Sequence, residues 1–162
     1  MFGEQAGRAA ALYATGRRLP DWPDRTGAGA IDQIRSLLEG RKGDVAAAEL
    51  LDELREVMWR DVGPFRTAAG LARAVARLEE MRTALPQVAV SAGRQFNAAL
   101  ADWFELRGSL IAAEAVAHAA AARTESRGAH QRDDFPDIDP AWARSQRLAM
   151  SGDGRLMMDA RR

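Results

Sequence analysis

Apolar residues recur along most of this chain with the period of a helix. Leu50, Leu51, Leu54, Val57 and Met58 fall on one stripe, which predicts a helix with Asp44 placed to cap it and Val62-Gly63-Pro64 to stop it. Thr67 is placed to cap the next, in which Leu71, Val75, Leu78, Met81 or Arg82, and Leu85 repeat every three to four residues as far as Pro86. Its other face carries Arg73, Arg77 and Glu80, expected in solvent. The longest periodic segment runs from about Phe96 to about Thr124, with Phe96, Leu100, Trp103, Leu110 and Ala117 on one stripe and Phe104 and Ile111 beside it. Its second half is nearly all alanine, which permits close helix contact.

Ahead of these, residues 2–15 have helix-forming composition, with Gly3, Ala6, Gly7 and Ala10 making one almost bare face. The stretch "LPDWPDRTGAGA", residues 19–30, holds two prolines and two glycines and is expected to be loop or linker. After Arg123 the character changes to charges, Gly128, Pro136 and Pro140, and no long element is expected. No strand pattern stands out. The expected class is all-α: an antiparallel three-helix bundle over 44–140, an extra N-terminal helix over 1–18, a linker over 19–43 and an irregular tail over 141–162.

Composition sharpens this picture. With 162 residues the chain has the length of one domain, and its apolar 47% is mostly alanine and leucine, as in helical proteins. Lys plus Arg and Asp plus Glu both number 23, so there is no basic excess to hold a phosphate backbone, and nucleic acid is not an expected partner. The absence of cysteine removes disulfides, thiol nucleophiles and iron–sulfur ligation by this chain. Two histidines make a poor ligand inventory for zinc, and no metal site is expected. Nothing approaches the ~18 apolar residues of a membrane span.

The sequence carries no complete catalytic signature. "TGAGA" lacks a preceding strand and a third spaced glycine, and reads as a turn rather than a dinucleotide fingerprint. "SGDGR" lacks the acidic ladder of a calcium loop and also reads as a turn. Ser126 and His130, with Asp133 or Asp134, have triad chemistry, but triads are assembled from distant segments and this cluster is local to a helix end. His118 reads as a core or surface histidine, and Trp22, Trp59, Trp103 and Trp142 as packing residues. No catalytic or cofactor-binding residue is assigned.

Three marks carry a resemblance. They are "MW..VG..R" from Met58 to Arg66 with the leucine-periodic helix after it, "ESRGAH.R.DFP" from Glu125 to Pro136, and the following "DIDPAW". Together they resemble the C-terminal helical domain of the succinate dehydrogenase and fumarate reductase flavoprotein family, which also includes L-aspartate oxidase. "MFGEQAGRAAALYA" is similar to the helix that ends the family's FAD-binding domain, so residues 1–18 are expected to be its remnant. Ala129 before His130 and Arg132 after it look closer to the succinate dehydrogenase and fumarate reductase branch.

The resemblance implies a non-catalytic part of a FAD-dependent oxidoreductase, a split subunit or a truncation, that stabilises the flavoprotein and contacts partners. FAD is expected in a partner or missing domain, not in this chain. A FAD-binding chain and an iron–sulfur subunit are the implied partners, with a cytoplasmic setting reached at the membrane only through them. The alternatives are the same domain of an L-aspartate oxidase and a free-standing helical interaction module. Arg123, Glu125, Arg127, Arg132, Asp133 and Asp134 are expected to form a charge network, with Gly128 supplying a positive φ or a close approach at the helix stop and His130 inside the same signature. Such a network fixes packing geometry, or serves as a docking rim.

Overall fold

The computed structural model describes residues 2–18, 21, 26–39, 43–152 and 155–159. Trp22 and part of the "SGDGR" stretch lie outside them. The chain divides into two compact units, residues 1–33 and 34–162. The first unit contains helix α1 (Phe2–Ala14), in which no residue is buried; Phe2, Leu12 and Tyr13 are all exposed. Helix α2 (Ala28–Leu38) crosses the division and occupies part of the segment expected to be linker. Its apolar residues Ile31, Ile34, Leu37 and Leu38 keep helical spacing despite the glycines before them.

The second unit is built on helices α3 (Ala47–Val62), α4 (Ala68–Ala84) and α5 (Ala98–Ala122), each packed on the other two. Leu71, Leu78, Leu106 and Leu110 are fully buried between them, and Leu37 reaches the same core. Burial of each such side chain is worth about 1.5–3 kcal/mol. The chain is mostly helical, with short strand pairs at the ends of the helices.

Caps decide where the helices start. Thr67 Oγ1 accepts from Gly70 N at 3.1 Å and opens α4. Asp44 does not cap α3; the chain first forms strand β1 (Val45–Ala46), parallel to β3 (Val88–Ala89), and the cap position falls to Ala46, which makes no side-chain cap bond. Asn97 caps α5 by accepting from Leu100 N at 3.0 Å, and donates to the carbonyls of Ser91 and Gly93. This cap removes Phe96 from the expected buried stripe. Phe96 lies outside the helix at φ 51°, fully exposed, while Leu106 takes a place in the core.

Two further strand pairs complete the unit. Strand β2 (Phe65–Arg66) runs parallel to β4 (Gln131–Arg132), with Phe65 opposite Gln131 and Arg66 opposite Arg132. In the tail, β5 (Arg147–Met150) and β6 (Leu156–Asp159) pair antiparallel, so this part of the expected irregular tail is a hairpin. Ser151 and Arg155 close it through bonds between the Ser151 hydroxyl and the Arg155 backbone.

Candidate functional site

The β2–β4 pair brings together the two longest sequence marks, the end of α3 and the Glu125–Pro136 segment. Gln131 N donates to Pro64 O at 3.1 Å, and Asp133 N donates to Arg66 O at 2.9 Å. Arg66 also closes α3, its Nε donating to the carbonyls of Gly63 at 2.7 Å and Val62 at 3.2 Å. Its Nη1 meets Nδ1 of His130.

Arg132 is almost entirely buried and organises the end of α5. Its Nη1 donates to the carbonyls of Ala120 and Arg123, both at 3.1 Å, so a positive charge sits where the helix leaves its last acceptors unpaired. Its Nε and Nη2 each hold one oxygen of Asp134 at 2.7 Å. Asp134 Oδ2 also accepts from Ala68 N at 2.9 Å, at the first turn of α4. These bonds, led by that from Arg132, hold the Asp134 carboxyl below the usual carboxylate range.

Glu125 is the second centre, 0% exposed. Its Oε1 accepts from Arg127 Nε at 2.8 Å and from Arg123 Nη1; its Oε2 accepts from Arg127 Nη2 at 3.0 Å and from Asp139 N at 2.9 Å. The bond from Arg127 is the largest cause of a pKa lowered to about 2; burial opposes it, and the Asp139 and Arg123 bonds add to it. Arg123 extends the network to the tail, with Nη1 on Trp142 O at 2.9 Å and Nη2 on Arg144 O at 2.8 Å.

The other segment residues serve the backbone. Ser126 Oγ accepts from Arg132 N at 2.8 Å and donates to Phe135 O at 2.8 Å, which ties the segment into a compact turn. Gly128 has φ 59° in the turn between Arg127 and His130, whose N–H and C=O groups pair with each other. That turn lies beyond the helix end at Ala122, so Gly128 does not stop α5; Arg132 and Gln146 satisfy carbonyls there instead. Asp133 contributes its backbone N–H, while its exposed carboxylate has no ion pair among the described residues. Ser126 and His130 are thus committed to different partners, and the triad reading has no geometry behind it.

Asp61 was missed in the sequence. It is buried, with Oδ2 held by Arg60 Nη2 at 2.8 Å and Oδ1 by Arg73 Nη2 at 2.6 Å, so Arg73 stays exposed as expected while its guanidinium is engaged. The available signal was its position, on the buried stripe of Leu54 and Val57 inside the "MW..VG" mark. The opposite face of α4 is solvated as expected, and within it Arg77 bridges Glu53 and Glu80.

Comparisons with known proteins converge. The family described as fumarate reductase flavoprotein C-term matches residues 51–160. The CoM/CoB fumarate reductase of Methanothermobacter marburgensis has a subunit 35% identical to this chain, over 90% of this chain and 26% of that protein. Among solved structures, the apo Sdh1 complex of Mycobacterium smegmatis is similar with a TM-score of 0.78 at 33% identity, over 98% of this chain and 27% of that one. A quinol-fumarate reductase solved with menaquinol matches with a TM-score of 0.80 at 28% identity, over 97% of this chain and 27% of that one. The chain therefore belongs to the C-terminal domain family of succinate dehydrogenase and fumarate reductase flavoproteins. It spans about a quarter of the length of the relatives it matches.

In the "TGAGA" stretch Gly27 has φ 80° just ahead of α2, and a Cβ on Gly27 or Gly29 would meet open space, so neither glycine is held there by a close approach. No described helix is long and apolar enough to cross a membrane.

Proposed function

We propose that this chain is a non-catalytic buttress of a FAD-dependent oxidoreductase of the succinate dehydrogenase and fumarate reductase type. FAD would reside in the flavin-binding part of the protein, outside these residues. The observation that carries the reading is the closed bonding of Glu125. Both of its oxygens are saturated by Arg123, Arg127 and Asp139, and its low pKa keeps it charged at neutral pH, so it neither takes nor gives a proton there. Such a group fixes the shape of the α5 end and the tail. Chemistry belongs to the cofactor, and the helical part supplies rigidity.

The exposed Phe2, Leu12 and Tyr13 of α1 support a contact with the flavin-binding part, because apolar side chains grouped on one short helix seek a partner. An iron–sulfur subunit is a second proposed partner, in keeping with relatives named as subunits of larger assemblies. The test is co-purification with a flavin-binding portion from this family. A yellow stoichiometric complex is expected; a colourless chain that elutes alone at micromolar concentrations of both would refute the reading.

A further inference from the structure

Three guanidinium groups and an imidazole meet around one cleft beside Trp142. The cleft has a volume of about 440 Å³ and is lined by Arg123, Arg127, His130, Trp142, Arg144 and Ser145, together with Ala143, so none of its walls is acidic. Glu125 answers the charge of Arg123 and Arg127 together, and its oxygens are already filled. The Asp139 carboxylate also acts on Arg127, from outside the lining, so three positive charges stand against two negative and a smaller excess remains.

Donors are left over as well as charge. Arg127 uses Nε and Nη2, which leaves Nη1 without an acceptor among the described residues. Arg144 is exposed, and its guanidinium lies over the Trp142 ring, 5.4 Å from the centroid, with no acceptor of its own among the described residues. Arg123 lies 5.2 Å from the same ring centroid. Aromatic contact of this kind orients a guanidinium while leaving its N–H edge able to donate.

His130 completes the set. A guanidinium only donates, so the Nδ1 that faces Arg66 must be the acceptor, which makes the ring neutral and puts its proton on Nε2. Burial first, and then the charge of Arg66, lower the imidazole pKa and favour the same neutral form. Nε2 is buried and makes no well-aligned hydrogen bond; the Arg123 carbonyl beside it, which also accepts from Arg132, offers it a weak acceptor. Unpaired buried donors are rare in native proteins.

We propose that this cleft binds a small oxyanion, a carboxylate or a phosphate, held by Arg127 and Arg144 over Trp142. Forked guanidinium donors are suited to such groups, and the positive excess supplies the attraction. This inference concerns the chain alone and stands or falls separately from the buttress reading.

The experiment titrates the 162-residue chain with sodium acetate, and separately with inorganic phosphate, against sodium chloride at matched ionic strength. The Trp142 indole and His130 imidazole NMR signals are followed. Saturable shifts with one or both oxyanions are expected, and the two series identify which chemistry the cleft prefers. Arg144→Ala should weaken binding about tenfold, the loss of one charge-assisted hydrogen bond. The fold should survive, because Arg123 bonds to the backbone carbonyl of Arg144 and not to its side chain. Arg144→Glu should abolish binding, with an unchanged circular dichroism spectrum as the control. Shifts no larger than those with chloride, or undiminished binding to a folded Arg144→Glu chain, would overturn the proposal.

Discussion

Arg132 grips both oxygens of Asp134 at 2.7 Å while donating to the last carbonyls of α5, and Asp134 in turn accepts from the first turn of α4. One ion pair therefore staples the end of one helix to the start of another. Arg132→Ala strands a carboxylate and the helix-end carbonyls together, and should cost about 3–5 kcal/mol of unfolding free energy, measured by urea denaturation. Arg132→Lys keeps the charge but not the fork, and should recover only part of that loss. Full recovery by lysine would show that charge alone matters at this site.

Acid should weaken the fold through Glu125. Its folded pKa of about 2 lies below the ordinary value of 4.5, so its contribution is fully present above the unfolded pKa and is lost as pH falls toward the folded one. Stability should decline between about pH 4.5 and about pH 2. Glu125→Gln should lower stability at pH 7 and flatten the slope in that window. Chemical denaturation at half-unit pH steps would measure both effects, and an unchanged slope would remove Glu125 from the acid response.

Gly43 is held by space rather than by φ. A Cβ there would stand 1.8 Å from Gln87 O and 2.8 Å from Ala89 N, both backbone atoms next to the β1–β3 pair. Gly43→Ala must push the two segments apart, and should destabilise by about 1–3 kcal/mol. Gly128→Ala is the contrast, since open space surrounds its Cβ position and only φ 59° is strained; its cost should be about 1 kcal/mol. Thermal melts of the two variants should rank Gly43→Ala lower.

The cores of α3, α4 and α5 were legible because a buried helix face writes its period into the sequence, as Leu50, Leu54 and Val57 do in α3. What failed were ends and short pairings. Phe96 extends the α5 stripe by spacing, but Asn97 starts the helix one residue later and turns Phe96 out. The two-residue strands are too short to show alternation, so nothing announced that β2 and β4 would join the marks at Met58–Arg66 and Glu125–Pro136. In that second mark the charges were visible, but their partners were not. Arg132 bonds largely to backbone carbonyls, which no residue type reveals, and neighbouring Asp133 and Asp134 differ only in which side of the chain each faces.

The buttress role is tested most directly by the temperature at which flavin is released from a flavin-binding portion of this family, followed by flavin fluorescence. The portion is measured alone, with the wild-type chain, and with the Arg132→Ala chain. Selective binding to the folded flavin-bearing state should raise the release temperature with the wild-type chain, and raise it less with the variant. A release temperature that is the same in all three samples, at chain concentrations well above that of the flavoprotein, would contradict a buttressing role.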